Sequence, residues 1–457
     1  MSLFRTKAIN ADTEAHHGLH RVLGATDLVF MGIGAIIGAG IFVLTGQAAI
    51  QAGPAIVVSF AISGLACAFS ALSYAELAAA IGGCGSAYGY AYAGLGEFVA
   101  WIIGWDLILE YGVATAAVSI GWSGYVNSAL AAVGMPLPAS LLNGPIDGGI
   151  INLPAVLIIL VLGLLLAAGV RTSARFNAAM VFVKLLAIGV FIAVAAFHVH
   201  PENWHPFFAR GWTGMMHGAA LIFFAYIGFD AVSTAAEETR NPRRDLPIGI
   251  IVSLAVCTAI YMAVAGLLTG IVPFRTLTGA SPVADAMLHI GQRWVAAVIS
   301  AGAIAGLTTV MLVLYYGLTR IFLAMSRDGL LPPVFSAVHA RRGTPVRVIL
   351  ASGVFMAAVA GFTPIGDVAE LVNIGTLAAF VMVCTGVIVL RRTRPDLPRP
   401  FRTPWSPLLP LLGIAFCLYL MFSLPLVTWL RFVIWMALGL TVYFSYSRQH
   451  SALAVET

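Results

Sequence analysis

Residues Met31–Phe42 read MGIGAIIGAGIF, with glycine at 32, 34, 38 and 40 inside an apolar run that spans residues 25–50. A dinucleotide-binding loop is excluded. A GxGxxG begun at Gly32 needs a third glycine where Ile37 stands, and no strand precedes it. Two uses of such glycines remain. Gly34-xxx-Gly38 suits close packing of helices. The alternative is a break at Gly38-Ala39-Gly40, where free amides and the positive end of a half-helix make an anion site without a charged side chain.

Composition decides the environment of that run. The chain has 457 residues with Lys+Arg 24 and Asp+Glu 19, so 9% are charged, against 60% hydrophobic and 47 glycines. Soluble domains carry about 25% charged residues. Mean hydropathy is +0.96. No soluble globule of this length covers its core with so few charges. A soluble enzyme, a nucleic-acid binder and a disordered chain are all excluded, and the bilayer is the expected surrounding. At such depth irregular backbone is tolerated only where it lines a cavity. The five cysteines (Cys67, Cys84, Cys257, Cys384, Cys417) form no CxxC pair and mostly lie in apolar runs, as small buried hydrophobes do. Residues 1–24 are polar, and no cleavable leader is expected there.

Runs of about 20 apolar residues number twelve. Their limits are near 25–50, 54–80, 94–126, 152–170, 175–197, 213–237, 247–272, 293–325, 346–362, 367–391, 406–425 and 428–446. An even number returns both termini to one side. Segments on that side hold 19 basic residues and the other side holds Arg210, Arg275, Arg293 and Arg431, which makes 4. The bias predicts cytoplasmic termini and explains the formal charge of +5 as topology rather than ligand preference. The twenty-fourth basic residue is Lys184, inside the fifth run.

Lys184 is one of only two lysines in the chain. An ammonium in a span is costly unless it is paired or faces water, and Arg175 and the interface are about two and a half turns away. Lysine, unlike arginine, suits a switchable cation or proton site. The acidic candidates are Asp106 and Glu110 in the third run and Asp230 in the sixth. Asp106 and Glu110, at i and i+4, share a helix face, so the pair is expected to hold a proton between them or to serve interface and cap roles. Glu76, at the end of the second run, reads as an interfacial anchor.

A carrier built from inverted repeats needs a second break in its other half. Five runs on, Leu221–Glu238 reads LIFFAYIGFDAVSTAAEE, with Gly228 beside Tyr226 and Asp230. A repeat of five helices, odd in number, inverts the next copy.

The chain resembles the amino acid–polyamine–organocation permeases, in their cationic-amino-acid-transporter-like branch. The likeness rests on IGAGIF (Ile37–Phe42), FFAYIGFDAVSTAAEETRNPRRDLPIGI (Phe223–Ile250), TRIFLAMSRDGLLP (Thr319–Pro332) and LVNIGTLAAF (Leu371–Phe380). It implies an all-α integral membrane fold of twelve transmembrane helices, with helices 1 and 6 unwound mid-membrane. Residues 25–197 and 213–391 would be inverted five-helix repeats. Residues 406–446 would form two more helices, and residues 1–24 and 447–457 the cytoplasmic ends. It also implies secondary transport of L-amino acids by alternating access. The substrate carboxylate is expected on the amides of Ile36, Ile37, Gly38, Ala39 and Gly40. Its ammonium is expected on carbonyls of Phe224, Ala225 and Ile227, with Phe224 as an aromatic gate. Lys184 falls where sodium-driven relatives bind the ion, so proton coupling with Thr308 or Thr309 is expected. The family's cationic members usually carry Asn at the place of Asp106.

Met311, Leu314 and Tyr315 on the eighth run are bulky and largely apolar, which favours small neutral substrates such as alanine over arginine or lysine. Cationic amino acid exchange or uniport remains the alternative, as does sodium coupling. No metal or cofactor is expected; a proton gradient supplies the drive. A membrane-embedded enzyme is disfavoured because the ten histidines fall mostly in tails and loops and form no HExxH. The partners expected are the amino acid and the lipid bilayer, not nucleic acid, in a plasma or inner membrane.

Overall fold

The structure is a computed structural model that describes residues 5–6, 23–81, 86–132, 134–168, 174–230, 232–233, 239–339 and 344–455. The regular structure of the described residues is helical, with a single isolated bridge between Leu23 and Thr239. The chain opens with α1 (Ala25–Ile36), a π-helical turn at Gly40–Leu44, α2 (Thr45–Ala52) and α3 (Ile56–Ile81). It continues through α4 (Ser86–Gly94), α5 (Glu97–Ala132), α6 (Leu153–Ala167), α7 (Ala174–Ala195) and α8 (Gly211–Ile222). A 3₁₀ turn at Phe223–Tyr226 leads toward α9 (Pro242–Ile271) and the short α10 (Pro282–His289). Then come α11 (Arg293–Arg327), α12 (Val346–Phe362), α13 (Ile365–Thr393), α14 (Leu408–Phe422) and α15 (Leu426–Val442).

Six helical runs among the described residues are long and apolar enough to cross a membrane: 40–81, α5, α9, α11, α13 and 426–450. Shorter apolar helices (α1, α6, most of α7, α12 and α14) fill in between them. Within 40–81 the chain turns at Gly53, whose φ of +68° suits glycine, and Pro54 follows it.

Polarity here is inverted relative to a soluble protein. Large apolar side chains such as Leu164, Phe182, Val354, Phe355 and Leu430 are exposed, as lipid-facing residues must be. Polar and charged groups are the buried ones, including Glu76, Asp106, Glu110, Lys184, Asp230 and Asn373. Small residues let α5 and α11, the longest helices, approach closely. Gly317 on α11 faces the ring of Tyr111, and Gly104 on α5 faces the sulfur of Met325.

Glu76, expected as an interfacial anchor, is the centre of a buried ion-pair group. It is 1% exposed and accepts from Arg391 Nε at 2.9 Å and Nη2 at 2.7 Å, and from Thr403 N at 2.7 Å. Arg399 Nε lies 3.5 Å away. Desolvation explains these partners: a carboxylate near a helix end, once covered by the 394–407 segment, must recruit donors. The terminal segments meet at the start of α5. Glu97 N donates to Arg5 O at 2.8 Å, and its carboxylate accepts from Ser451 at 2.5 Å and Tyr443 at 3.1 Å.

Candidate functional site at the paired helix breaks

The glycine-rich run leaves the α-helix at Ile36. Ile37 is extended (φ −74°, ψ 100°), and Ile37 N makes the last bond of the ladder, to Ile33 O at 3.0 Å. The next backbone bond is Phe42 N to Gly38 O at 3.3 Å. The amides from Gly38 to Ile41 therefore stand outside the ladder, facing away from a helix end whose carbonyls are equally released. The amide supply starts at Gly38 and runs to Ile41; Ile36 and Ile37, expected to share in it, still belong to α1 through their N–H groups.

Side chains take up the released carbonyls. Lys184, fully buried on α7, donates its ammonium to Gly34 O at 2.5 Å and Ile37 O at 2.8 Å. Tyr261 on α9 reaches Ile36 O at 2.8 Å. A carbonyl left bare in this apolar interior would lose about 1–3 kcal/mol. Gly306 on α11 lets the lysine stem pass: a Cβ there would sit 3.1 Å from Lys184 Cδ. Cys257 on α9 lies within electrostatic reach of the ammonium.

The sixth run breaks in the same manner. After the 3₁₀ turn, Ile227 is extended (φ −61°, ψ 134°) and Gly228 adopts φ +115°, a conformation that favours glycine. A Cβ on Gly228 would also sit 2.9 Å from Ala35 O. A Cβ on Gly40 would collide with the Cα and Cβ of Ala225. The two interruptions are thus packed against each other through small residues, and the Tyr261 hydroxyl lies 3.0 Å from Ala225 O as well as on Ile36 O.

Carbonyls along α8 accept from neighbouring helices. Ser59 and Ser63 donate to Met215 O and Ala219 O, and Asn373 Nδ2 donates to Ala220 O and Leu221 O. Of the expected ammonium ligands, Ala225 O meets Tyr261 and Phe224 O accepts weakly from Ile227 N at 3.3 Å. Phe223 and Tyr226 are engaged with other rings, whereas Phe224 has no ring partner among the described residues. Phe224, Ile227, Val310 and Leu314 are all 5–8% exposed, and a Cβ on Gly38 would lie 3.4 Å from Val310 Cγ2. Tyr315 points elsewhere: its hydroxyl donates to Ile349 O on α12.

Thr309 donates to Gly306 O, beside the lysine stem, but Thr308 turns toward α5 and accepts from Trp122 Nε1 at 3.0 Å. The hydrogen bonds of Lys184 go to backbone carbonyls, not to either threonine.

The three acidic candidates form a separate group. Asp106 lies in a niche opened by Gly375, where a Cβ would come within 2.5 Å of Oδ1, and neither of its oxygens has a hydrogen-bond partner among the described residues. Glu110, one turn on, is in electrostatic reach of Asp230 and Asp106 and meets Thr376. Asp230 accepts from Tyr111 OH at 3.3 Å. Sequence reading missed Tyr261, Tyr111, Trp122 and Asn373. A tyrosine in mid-run (AIYMAV) and an asparagine in NIGTLAAF were the available signals.

A polytopic helical protein with two back-to-back helix interruptions, braced by a buried lysine, belongs to the class of membrane carriers. The chain is a member of the amino acid permease family, whose sequence profile matches residues 23–452. It is 50% identical to the branched-chain amino acid permease BcaP of Bacillus subtilis and 48% identical to the methylthioribose transporter of the same organism, each over 99% of both chains. It is 38% identical to the vacuolar cationic amino acid transporter 4 of Arabidopsis thaliana, over 86% of this chain and 68% of the relative.

Proposed function

We propose that the chain is a proton-coupled symporter of neutral L-amino acids, working by alternating access. Its twelve spans would be two inverted five-helix repeats plus two helices, with both interruptions at mid-membrane depth. Both termini would be cytoplasmic, in a plasma or inner membrane. The observation that carries the reading is the ammonium of Lys184 lying on Gly34 O and Ile37 O. Its protonation state and a carboxylate on the amides of Gly38–Ile41 act on the same few backbone residues. Losing the proton weakens the bonds to both carbonyls, which are no longer charge-assisted, and binding the anion draws the adjoining amides. Each event changes the strain that the other meets, which is a coupling free energy between two ligands.

The substrate side chain would meet Phe224, Ile227, Val310 and Leu314, which carry no charge to pair with a cationic terminus. Alanine and the branched-chain amino acids suit that lining, and of two relatives near half identity one is named for branched-chain amino acids and the other for methylthioribose. Transport of arginine or lysine is a second reading, favoured by the Asp106 carboxyl, which has no hydrogen-bond partner among the described residues, and by the cationic transporter relatives. Uptake of labelled L-alanine into proteoliposomes, with and without an inward proton gradient, tests the proposal. Accumulation should follow the gradient and should be competed by leucine or valine rather than arginine. Equal uptake without the gradient, or competition by arginine alone, overturns it.

A further inference from the structure

On the face opposite Arg5 and Ser451, α10 lies over the π-helical turn that follows the first interruption. Val283 shares a small apolar cavity with Ile41, Phe42 and Ile188. Pro282 packs on Gly46, where a Cβ would lie 2.7 Å away, and Ala280 packs on Gly124 of α5 at 2.6 Å by the same measure. A short polar chain fastens this apolar cover. Ser128 Oγ on α5 is 2.6 Å from Ser281 Oγ, and Ser281 donates to Asp285 Oδ1 at 2.9 Å. One turn earlier on α5, Tyr125 donates to Phe42 O at 2.6 Å. The same helix face therefore grips both the turn and its cover.

We propose that Ser128, Ser281 and Asp285 form a proton-sensitive latch that holds α10 shut over the first interruption. This deepens the carrier reading and rests on it, with this face as the external one.

Closing the cover takes Asp285 from water into a half-buried, apolar setting. Burial raises its carboxyl above the usual range, and the hydroxyl and amide bonds with Ser281 only partly draw it back. In a lifted cover the carboxyl would be in water, with its ordinary affinity for a proton. The closed state thus binds the proton more tightly. Acid on this face favours closure, and closure weakens as pH rises through the raised value. The serine chain keeps its connections in both states, because each hydroxyl can donate and accept.

Few other groups act on Asp285. The π-helical turn and α2 carry no charge, and α5 offers the Tyr125 phenol, within electrostatic reach. α9 carries Cys257 and Tyr261 at the interruptions and Arg243, Arg244 and Asp245 in its first turn. Arg293 begins α11 and His289 ends α10, and neither shifts the carboxyl. For a symporter this order of events is useful: a proton taken from outside helps shut the cover over a loaded site.

The test uses right-side-out vesicles carrying the full chain with Cys84→Ser. The described native thiols are buried. A reporter Val283→Cys, beneath the cover, is labelled by an impermeant maleimide, and Leu288→Cys on the exposed side of α10 corrects for thiol ionisation. The ratio of the two rates should rise as the medium is taken from the ordinary carboxylate range upward through the raised value, by about tenfold if the two states differ by one pKa unit. Asp285→Asn should give a low ratio with no pH slope. Ser281→Ala should raise the ratio at every pH. A flat ratio in the parent chain, or an unchanged slope in Asp285→Asn, overturns the latch. Labelling needs no transport, so loss of the carrier reading in uptake assays and loss of the latch register separately.

Discussion

The ammonium of Lys184 and the carbonyl oxygen of Ile37 are 2.8 Å apart, although 147 positions separate the residues in the chain. The bond joins the lysine inside the fifth run to the residue at which the first run stops being an α-helix. Replacing Lys184 by Ala removes donors from two carbonyls, at about 1–3 kcal/mol each. We expect gradient-driven accumulation to vanish while substrate exchange across the membrane persists. Counterflow beside proton-driven uptake in the same proteoliposomes checks this. Full accumulation by Lys184→Ala would refute the coupling role.

Gly40 should not tolerate a methyl group. Its Cβ would strike the backbone of Ala225 as well as its side chain, so Gly40→Ala must push the two interruptions apart. Overpacking of this kind costs about 1–3 kcal/mol. Transport should be lost, and Ala225→Gly should not rescue it, because the Cα remains in the way. Thermal unfolding followed by tryptophan fluorescence, together with uptake, measures both parts.

Tyr261 reads both interruptions with one hydroxyl, which has a single proton to give to Ile36 O or Ala225 O. Tyr261→Phe keeps the ring packed on Phe60 and Tyr226 and removes only that proton. Stability should fall by about 1 kcal/mol. The larger effect should be a raised KM for uptake, as the two segments lose their common brace. An unchanged KM would make the hydroxyl merely structural.

Glu76 anchors α3 to the end of α13 through Arg391. Glu76→Ala leaves that guanidinium without its carboxylate, a loss of about 3 kcal/mol for a pair buried on one side. The variant should show a lower melting temperature in detergent with substrate affinity little changed. Restored stability in Glu76→Ala/Arg391→Leu would assign the cost to the stranded cation.

Much of the site was legible because a membrane makes exceptions conspicuous. With 9% charged residues, Lys184, Asp106, Glu110 and Asp230 stand out from runs that have no other reason to contain them. Glycine patterning pointed to Gly38–Gly40 and to Gly228, since backbone that must leave the helix or approach another backbone closely has no substitute. The positions that escaped carry ordinary residues. Tyr261, Trp122 and Asn373 are unremarkable in their own helices and matter only for the carbonyl or hydroxyl that another helix brings to them. Thr308 and Tyr315 turn away from the interruptions for the same reason. Neighbours of Thr309 and Leu314 in sequence, they point to other sides of α11, and a helix turns about 100° per residue.

By itself the sequence determined the solvent, the helical class and the places where backbone regularity would fail. Those follow from composition and from local steric rules that act over a few residues. Tertiary structure alone decided which groups answer those failures. A released carbonyl in an apolar interior takes whatever donor packing delivers. It is the crossing of α7 and α9 over the first interruption that chose Lys184 for Ile37 and Tyr261 for Ile36.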